Sequence, residues 1–372
     1  MTLTADAKTS DRQAPPLDDI DGPDAPALRP TRLTVGHVVL GAGFLLAAAI
    51  VSILVGPAGL PAGAVLTEVL GRLPLVHLHS GLSATGVVVV WQWRMPRMVL
   101  GGLVGAMLAI AGASYQGAFS NPLADPYLLG VASGAGLGAT LVVVGAPVIG
   151  QIPSDLLPLA AFAGAVLAVT ATFALGRSRA SERSSASLLL AGVAVAAFFT
   201  AVQTFLLQRS SPGQLSTVYS WILGGLSTAG WGQVDLVLPY VGTAILVLLA
   251  CRRLLDVMSV GDEEATSVGV RAERVRLVVI VAATLGTAAA VSVSGLIGFV
   301  GIIVPHTIRL LAGPSYRRIL PLSVLFGAGF LILADLLART VLSPAEIPLG
   351  VVTAFLGAPI FLVVLRQARR LG

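Results

Sequence analysis

From about residue 35 onward the chain returns again and again to apolar runs nearly free of charge. A hydrocarbon layer about 30 Å thick requires a helix of roughly 20 apolar residues, because every backbone polar group inside it must be satisfied within the segment. Ten such runs are legible, at about 35–56, 97–116, 127–147, 157–176, 187–208, 233–251, 277–296, 298–312, 319–338 and 348–366. The eighth is short and merges with the seventh, so no sharp boundary is set within 277–312. Charged residues make up 11% of the 372, against roughly 25% in a soluble domain, too few to cover a water-facing surface. The expectation is an all-α integral membrane protein of about ten transmembrane helices, its transmembrane domain running from 35 to 372.

Residues 1–34 differ. They hold Asp6, Asp11, Asp18, Asp19, Asp21 and Asp24 with several prolines and no periodic apolar pattern, the profile of a disordered tail. No basic region leads into an early apolar core, so this is not read as a cleavable signal peptide. With the N-terminus cytoplasmic, 18 of the 23 basic residues fall on inner segments, and Arg72, Arg94, Arg97, Arg209 and Arg339 on outer ones. That asymmetry places both termini in the cytoplasm, and the net charge of +5 reads as membrane orientation rather than nucleic-acid binding. Trp91, Trp93, Trp221 and Trp231 then fall at the outer boundary, where amphipathic rings are comfortable. Ser216–Gly230 is apolar but too short to span and reads as a helix at the outer mouth; Leu254–Arg276 is the largest inner loop.

Several chemistries are excluded. No GxxxxGK[ST] phosphate loop occurs, so energy must come from a partner or an ion gradient. No HExxH or GxSxG appears, and the single Cys251 forms no disulfide or thiolate cage. His77 and His79 alone make a poor metal site, and no metal or cofactor is expected on this chain.

The stretch from Arg94-Met95-Pro96-Arg97 through Gly101, Gly102, Gly105, Gly112 and Gln116 to Asn121-Pro122-Leu123-Ala124-Asp125-Pro126 is the most informative. Small residues at near-helical spacing allow close helix packing in lipid. The two prolines cannot extend a regular helix, so this segment reads as the inner turn between the second and third spans. The block from Arg94 to Gly138 resembles the signature of the FecCD family, the permeases of ferric-siderophore, haem and cobalamin importers driven by ATP-binding-cassette (ABC) ATPases. GLIGFVGIIVPHTIRLLAG at 295–313 and LADLLARTVLSPAEIPLGVVTAFLGAPIFLVVL at 333–365 are similar to its C-terminal half.

The resemblance implies a BtuC-like permease fold, a dimer with a second permease subunit (identical or related), two ABC ATPase subunits inside carrying the ATP and Mg²⁺, and an extracytoplasmic substrate-binding protein outside. It suggests Arg94, Arg97 and Arg339 for pairing with carboxylates of the binding protein. Val260–Val270, with Gly261, Asp262, Glu263, Glu264, Ala265 and Gly269, is similar to the ATPase-coupling segment, two short helices in that family. For the pathway or its gate the expected residues are Gln116, Asn121, Pro122, Ser133, Ser292, Ser294, Pro305 and His306, with His306 following a helix break at Pro305. Asp335 and Arg339, four apart, read as a local ion pair. A ferric siderophore is the expected cargo, with haem and cobalamin open. The competing class, an ion-gradient-driven secondary transporter, needs a midplane carboxylate, for which Asp335 is the candidate.

Overall fold

The computed structural model describes residues 33–72, 80–149, 153, 155–176 and 185–368; the acidic tail and the His77/His79 pair lie outside them. Helix α4, Met95–Ala118, is the organising element. Every residue from Val104 to Ala118 is buried, which requires neighbours on all sides, and its glycines and alanines make room for them. A Cβ on Gly105 would overlap the Gly327 carbonyl of α13, Tyr316–Thr340, and one on Gly327 would overlap α4 in return. In lipid the attraction between helices comes from packing and polar contacts rather than from exclusion of water, so such backbone approaches hold the bundle together.

Around this pair lie α1 (Val35–Leu54), α5 (Val131–Ile149), α6 (Leu156–Gly176), α7 (Ser185–Gln208), α9 (Trp231–Met258), α11 (Ala272–Ser294), α12 (Val300–Ala312) and α14 (Leu349–Ala368). Each of the ten apolar runs is thus a helix. Seven are long and apolar enough to cross a membrane, and α5, α12 and α14 carry shorter apolar stretches. Peripheral α1 buries only Gly41, Ala48 and Ser52 and exposes Val39, Leu40 and Leu46, an apolar face suited to lipid.

Four further helices sit between spans: α2 (Ala62–Gly71), α3 (Ala84–Val88), α8 (Pro212–Ile222) and α10 (Asp262–Ser267). α3 runs into α4 through a π-helical turn, Val89–Arg94, so the second span begins well before residue 97. The short helix expected over Ser216–Gly230 lies earlier, as α8, and 223–230 are irregular; it is started by a capping box in which Ser211 and Gln214 each satisfy the other's backbone N–H.

The break between the seventh and eighth runs falls at 295–299, with Gly295 at φ 65° and Phe299 at φ 69°, and not at Pro305, which lies inside α12. α12 absorbs the proline because the carbonyl deprived of its N–H partner, Gly301 O, accepts instead from Gln116 Nε2 at 3.0 Å. The proline-bounded segment after α4 does turn the chain, and it packs inward: Pro126 and the backbones of Leu108 and Gly112 converge on Gly301. The Tyr127 hydroxyl donates to Ile297 O at 3.0 Å and accepts from Ile297 N at 3.1 Å. Irregular backbone inside a membrane protein is tolerated where protein satisfies it, and here each irregular segment satisfies the other.

Candidate functional site

At the N-terminal end of α4 and the C-terminal end of α13, three arginines and two carboxylates gather. The last four carbonyls of α1 have no partner within the helix's regular ladder. Val51 O receives the N–H of Val55. Arg94 Nη1 donates to Ile53 O and Leu54 O at 2.8 and 3.3 Å, and Arg339 Nη2 donates to Ser52 O and, at 3.0 Å, to Ser52 Oγ. Two cations thus close a helix C-terminus, where the macrodipole favours positive charge. Gly56 allows it, since a Cβ there would press on both guanidiniums.

Arg97 does different work. Its Nη2 meets Asp335 Oδ1 and its Nη1 meets Glu346 Oε1, both at 2.8 Å. Arg97 is therefore the nearer partner of Asp335; the expected pair with Arg339 exists at 3.5 Å. Arg94 and Arg339 are 6% and 5% exposed, so these two of the three arginines that the resemblance suggests for binding-protein carboxylates are interior groups of this chain. Three arginines against two acids leave a net charge of +1, and Arg94 Nη2 has no hydrogen-bond partner.

Beside this cluster, Trp231 Nε1 donates to Trp91 O at 2.9 Å and Trp91 Nε1 to Glu68 Oε1 at 3.1 Å. Ser80 Oγ also donates to Glu68 at 2.6 Å. These bonds, the Ser80 hydroxyl foremost, hold the Glu68 carboxyl below its ordinary range.

At the opposite ends of α4 and α13 lies α10. Gly261 (φ 147°) and Gly269 (φ 84°) bound it, both in backbone regions that favour glycine. Buried Ala265 anchors it between Met258 and Ala272, while Asp262, Glu263, Glu264, Thr266, Ser267 and Val268 are exposed. Two short helices were expected here; the structure has one, and the chain after Gly269 leads directly into long α11. Asp256, in the last turn of α9, accepts from Ser315 Oγ at 2.8 Å and from Tyr316 N, so it caps α13 from another helix.

A third feature escaped the sequence reading. Three interrupted segments interlock by backbone hydrogen bonds: Gly225 N to Ser294 O, Leu349 N to Gly224 O, and Gly350 N to Leu223 O, at 2.8 to 3.1 Å. They wall an apolar recess of about 620 Å³ that includes Leu223, Leu296, Phe299, Val351 and Phe355. The available signal was the glycines between apolar runs, Gly224, Gly225 and Gly295, of which Gly224 and Gly295 take positive φ.

The FecCD transport family matches residues 44–367. The chain belongs to that family. Among its relatives, the cobalamin import permease BtuC of Halobacterium salinarum is 43% identical over 292 residues, 78% of this chain and 76% of that protein. The Fe(3+)-citrate import permease YfmE of Bacillus subtilis is 35% identical over 336 residues, 90% of this chain and 96% of that one. A solved ABC transporter of the metal-chelate type, in an inward-facing conformation, superposes with a TM-score of 0.77 at 28% identity, covering 89% of this chain and 99% of the other. The chain is thus an all-helical, multi-pass membrane permease of ABC importers.

Within this FecCD permease the expected pathway residues scatter. Gln116, Ser292 and Ser294 are buried inside the bundle. Ser292 Oγ serves Ala289 O at 2.8 Å and Ser294 Oγ serves Ala290 O at 2.9 Å, so all three satisfy backbone rather than form a wall. Half-buried Ser133 donates to Gly130 O at 3.0 Å. Asn121 folds its own turn by accepting from Leu123 N at 2.9 Å, beside exposed Pro122. His306 is half-buried next to buried Pro305. Their weakly polar character suggested a conduit; the structure uses most of it for local hydrogen bonding.

Proposed function

We propose that this permease carries a bulky metal-organic chelate inward by alternating access, powered by a partner ATPase that grips α10, with the binding protein docking at the Arg97 end. The single observation that carries the coupling reading is α10 itself: an exposed acidic helix on a buried alanine anchor, between two glycines in conformations other residues resist. A short helix seated in a partner turns the partner's closure into rigid-body rotation of the permease. The net positive charge around Arg97 suits an approaching carboxylate, which the field would steer. ATP and Mg²⁺ belong to the ATPase, both termini face the cytoplasm on the arginine asymmetry, and a second permease subunit completes the conduit. The recess beside Phe299 and Phe355 is its wall on this side, since interrupted helices are where transporters place their pathway.

For the cargo, identity favours a corrinoid, because the cobalamin permease named above is more similar than the iron-citrate one. A ferric chelate, including the siderophore expected from sequence, is the second reading, favoured by the near full-length match to the iron-citrate permease. A secondary transporter is disfavoured because Asp335, its candidate carboxylate, is held by Arg97 and adjoins Arg339 and so is not free to carry an ion. Reconstitution with the cognate ATPase and binding protein in sealed vesicles tests all of this. ATP-dependent accumulation of cyanocobalamin, or failing that of ferric siderophore or ferric citrate, is expected. Accumulation by the permease alone, against a gradient, would overturn the reading.

A further inference from the structure

α4 ends in a Schellman turn, with Ser120 in the left-handed region at φ 48°. Tyr115, Gln116 and Gly117 give their carbonyls to the N–H groups of Phe119, Asn121 and Ser120. The next carbonyl, that of Ala118, is taken by a side chain from a different helix: Arg276 of α11 donates to it through Nε at 2.7 Å. The same guanidinium donates through Nη2 to both carboxylate oxygens of Asp262, at 3.0 and 2.9 Å, and Asp262 is the first residue of α10. One planar group therefore joins the exposed acidic helix to the end of the most buried helix in the molecule and to the turn that begins at Asn121.

We infer that Arg276 is the positioning residue that transmits displacement of α10 to the C-terminal end of α4 and the Asn121–Asp125 turn. This rests on the reading of α10 as the ATPase contact. Three features of the site support it. First, α10 is otherwise held mainly by apolar packing: its single buried residue, Ala265, sits in a small cluster with Met258 and Ala272, flanked by Val257, Val270 and Val275, contacts that resist separation more than sliding. Second, the Arg276 side chain is 18% exposed while that of Asp262 is 55% exposed, so the pair sits where water ends and the bundle begins, and the fork is braced on its buried side by the Ala118 carbonyl. Third, the receiving end leads on to structure that is tightly joined: the turn runs to Pro126 against Gly301, and Tyr127 is hydrogen-bonded to both backbone groups of Ile297 at the 295–299 break, beside the apolar recess. A push on α10 thus has a continuous polar and backbone route to the interrupted segments.

Geometry makes arginine specific here. A guanidinium spreads its donors in a rigid fork and reaches a carbonyl and a carboxylate together, whereas an ammonium on a flexible stem is a point donor that satisfies one of them. Arg276→Lys keeps the charge and should fail nearly as Arg276→Gln does.

The test uses the assembled complex with Cys251 replaced by Ala and spin labels at Leu123 and Ser267, both exposed, on the turn and on α10. With Arg276 intact, the label separation stays the same with and without ATP, because the two segments move as one body. In Arg276→Gln and Arg276→Lys it shifts or broadens on ATP addition, and cargo moved per ATP falls at least about fivefold, the lower range of measured couplings between sites, while the ATPase still co-purifies. Asp262→Asn, an exposed change that leaves the Ala118 bond in place, serves should either Arg276 variant fail to assemble, and is expected to loosen the same interval. A wild-type interval in these variants in both states, or full rescue by Lys, overturns the inference. A separate control, Glu263→Arg on the exposed side of α10, tests the underlying reading: retention of the ATPase there would show that α10 is not its contact, whatever the labels do.

Discussion

Gln116 shows how far a residue's role depends on a neighbour elsewhere in the chain. Its sequence context, a polar amide at the end of a small-residue helix, suggested a pathway group, but its partner is a carbonyl released by Pro305, almost two hundred positions away. Nothing local in the sequence records that. Gln116→Leu leaves the Gly301 carbonyl buried without a donor and should cost about 1–3 kcal/mol, read as a lowered unfolding temperature in detergent, with the binding protein still docking normally. Arg94 and Arg339 carry a similar lesson: their position at helix ends was legible, their burial was not, because the carbonyls they satisfy belong to α1. Reversing either charge would therefore disrupt the fold before it informed on docking. Arg97 is the arginine to change, paired with acid-to-amide changes on the binding protein; Arg97→Lys keeps a cation beside buried Asp335 but loses the planar fork, and should weaken docking while the permease remains assembled, measured by surface-immobilised binding. Glu68 provides a pH signature. Its folded carboxyl is held below the ordinary value of 4.5, so the stability it contributes is complete above that value and is lost as pH falls through the folded one. Thermal unfolding of Glu68→Gln should show a shallower decline below about pH 4.5 than wild type; identical acid limbs would remove the assignment.

Among elements, the helices were the readable part. Apolar length and small-residue spacing gave each span, since a membrane leaves few alternatives to a helix. What the runs did not show was which helices touch, because a glycine looks the same in sequence whether it meets lipid or another backbone. Gly105 and Gly327 meet each other. Gly105→Leu must separate α4 from α13 and should cost about 1–3 kcal/mol or more by overpacking, with loss of assembled protein in detergent; unchanged yield and melting temperature would contradict the contact. α10 was located correctly from its glycines and acids, yet its second helix proved to be the start of α11, as no breaker follows Gly269 before the apolar run resumes. Gly269→Leu forces a bulky residue to φ 84°, at about 1–2 kcal/mol for the left-handed conformation. The expected result is ATPase activity with little transport, measured together in vesicles.

At the scale of the molecule, α4 and α13 form one close-packed pair running from the arginine cluster to the α10 end. α13 is fixed at its start by Asp256 and at its finish by Arg97 through Asp335; α4 is fixed at its finish by Arg276. Sequence reading supplied the family and the ten apolar runs that become helices. It did not supply the ties between them, each of which joins residues far apart in the chain, nor the recess, which three separate segments build together.

The closure of α1 by two guanidiniums has one more implication. Should an incoming acidic side chain draw Arg94 away, the final turn of the outermost helix would be left with bare oxygens in a greasy setting, and its quickest remedy would be to unwind. Arrival of the carrier would then be felt first at the rim of the permease, as slackening of the helix that binds the bundle's edge, before anything in the middle had moved.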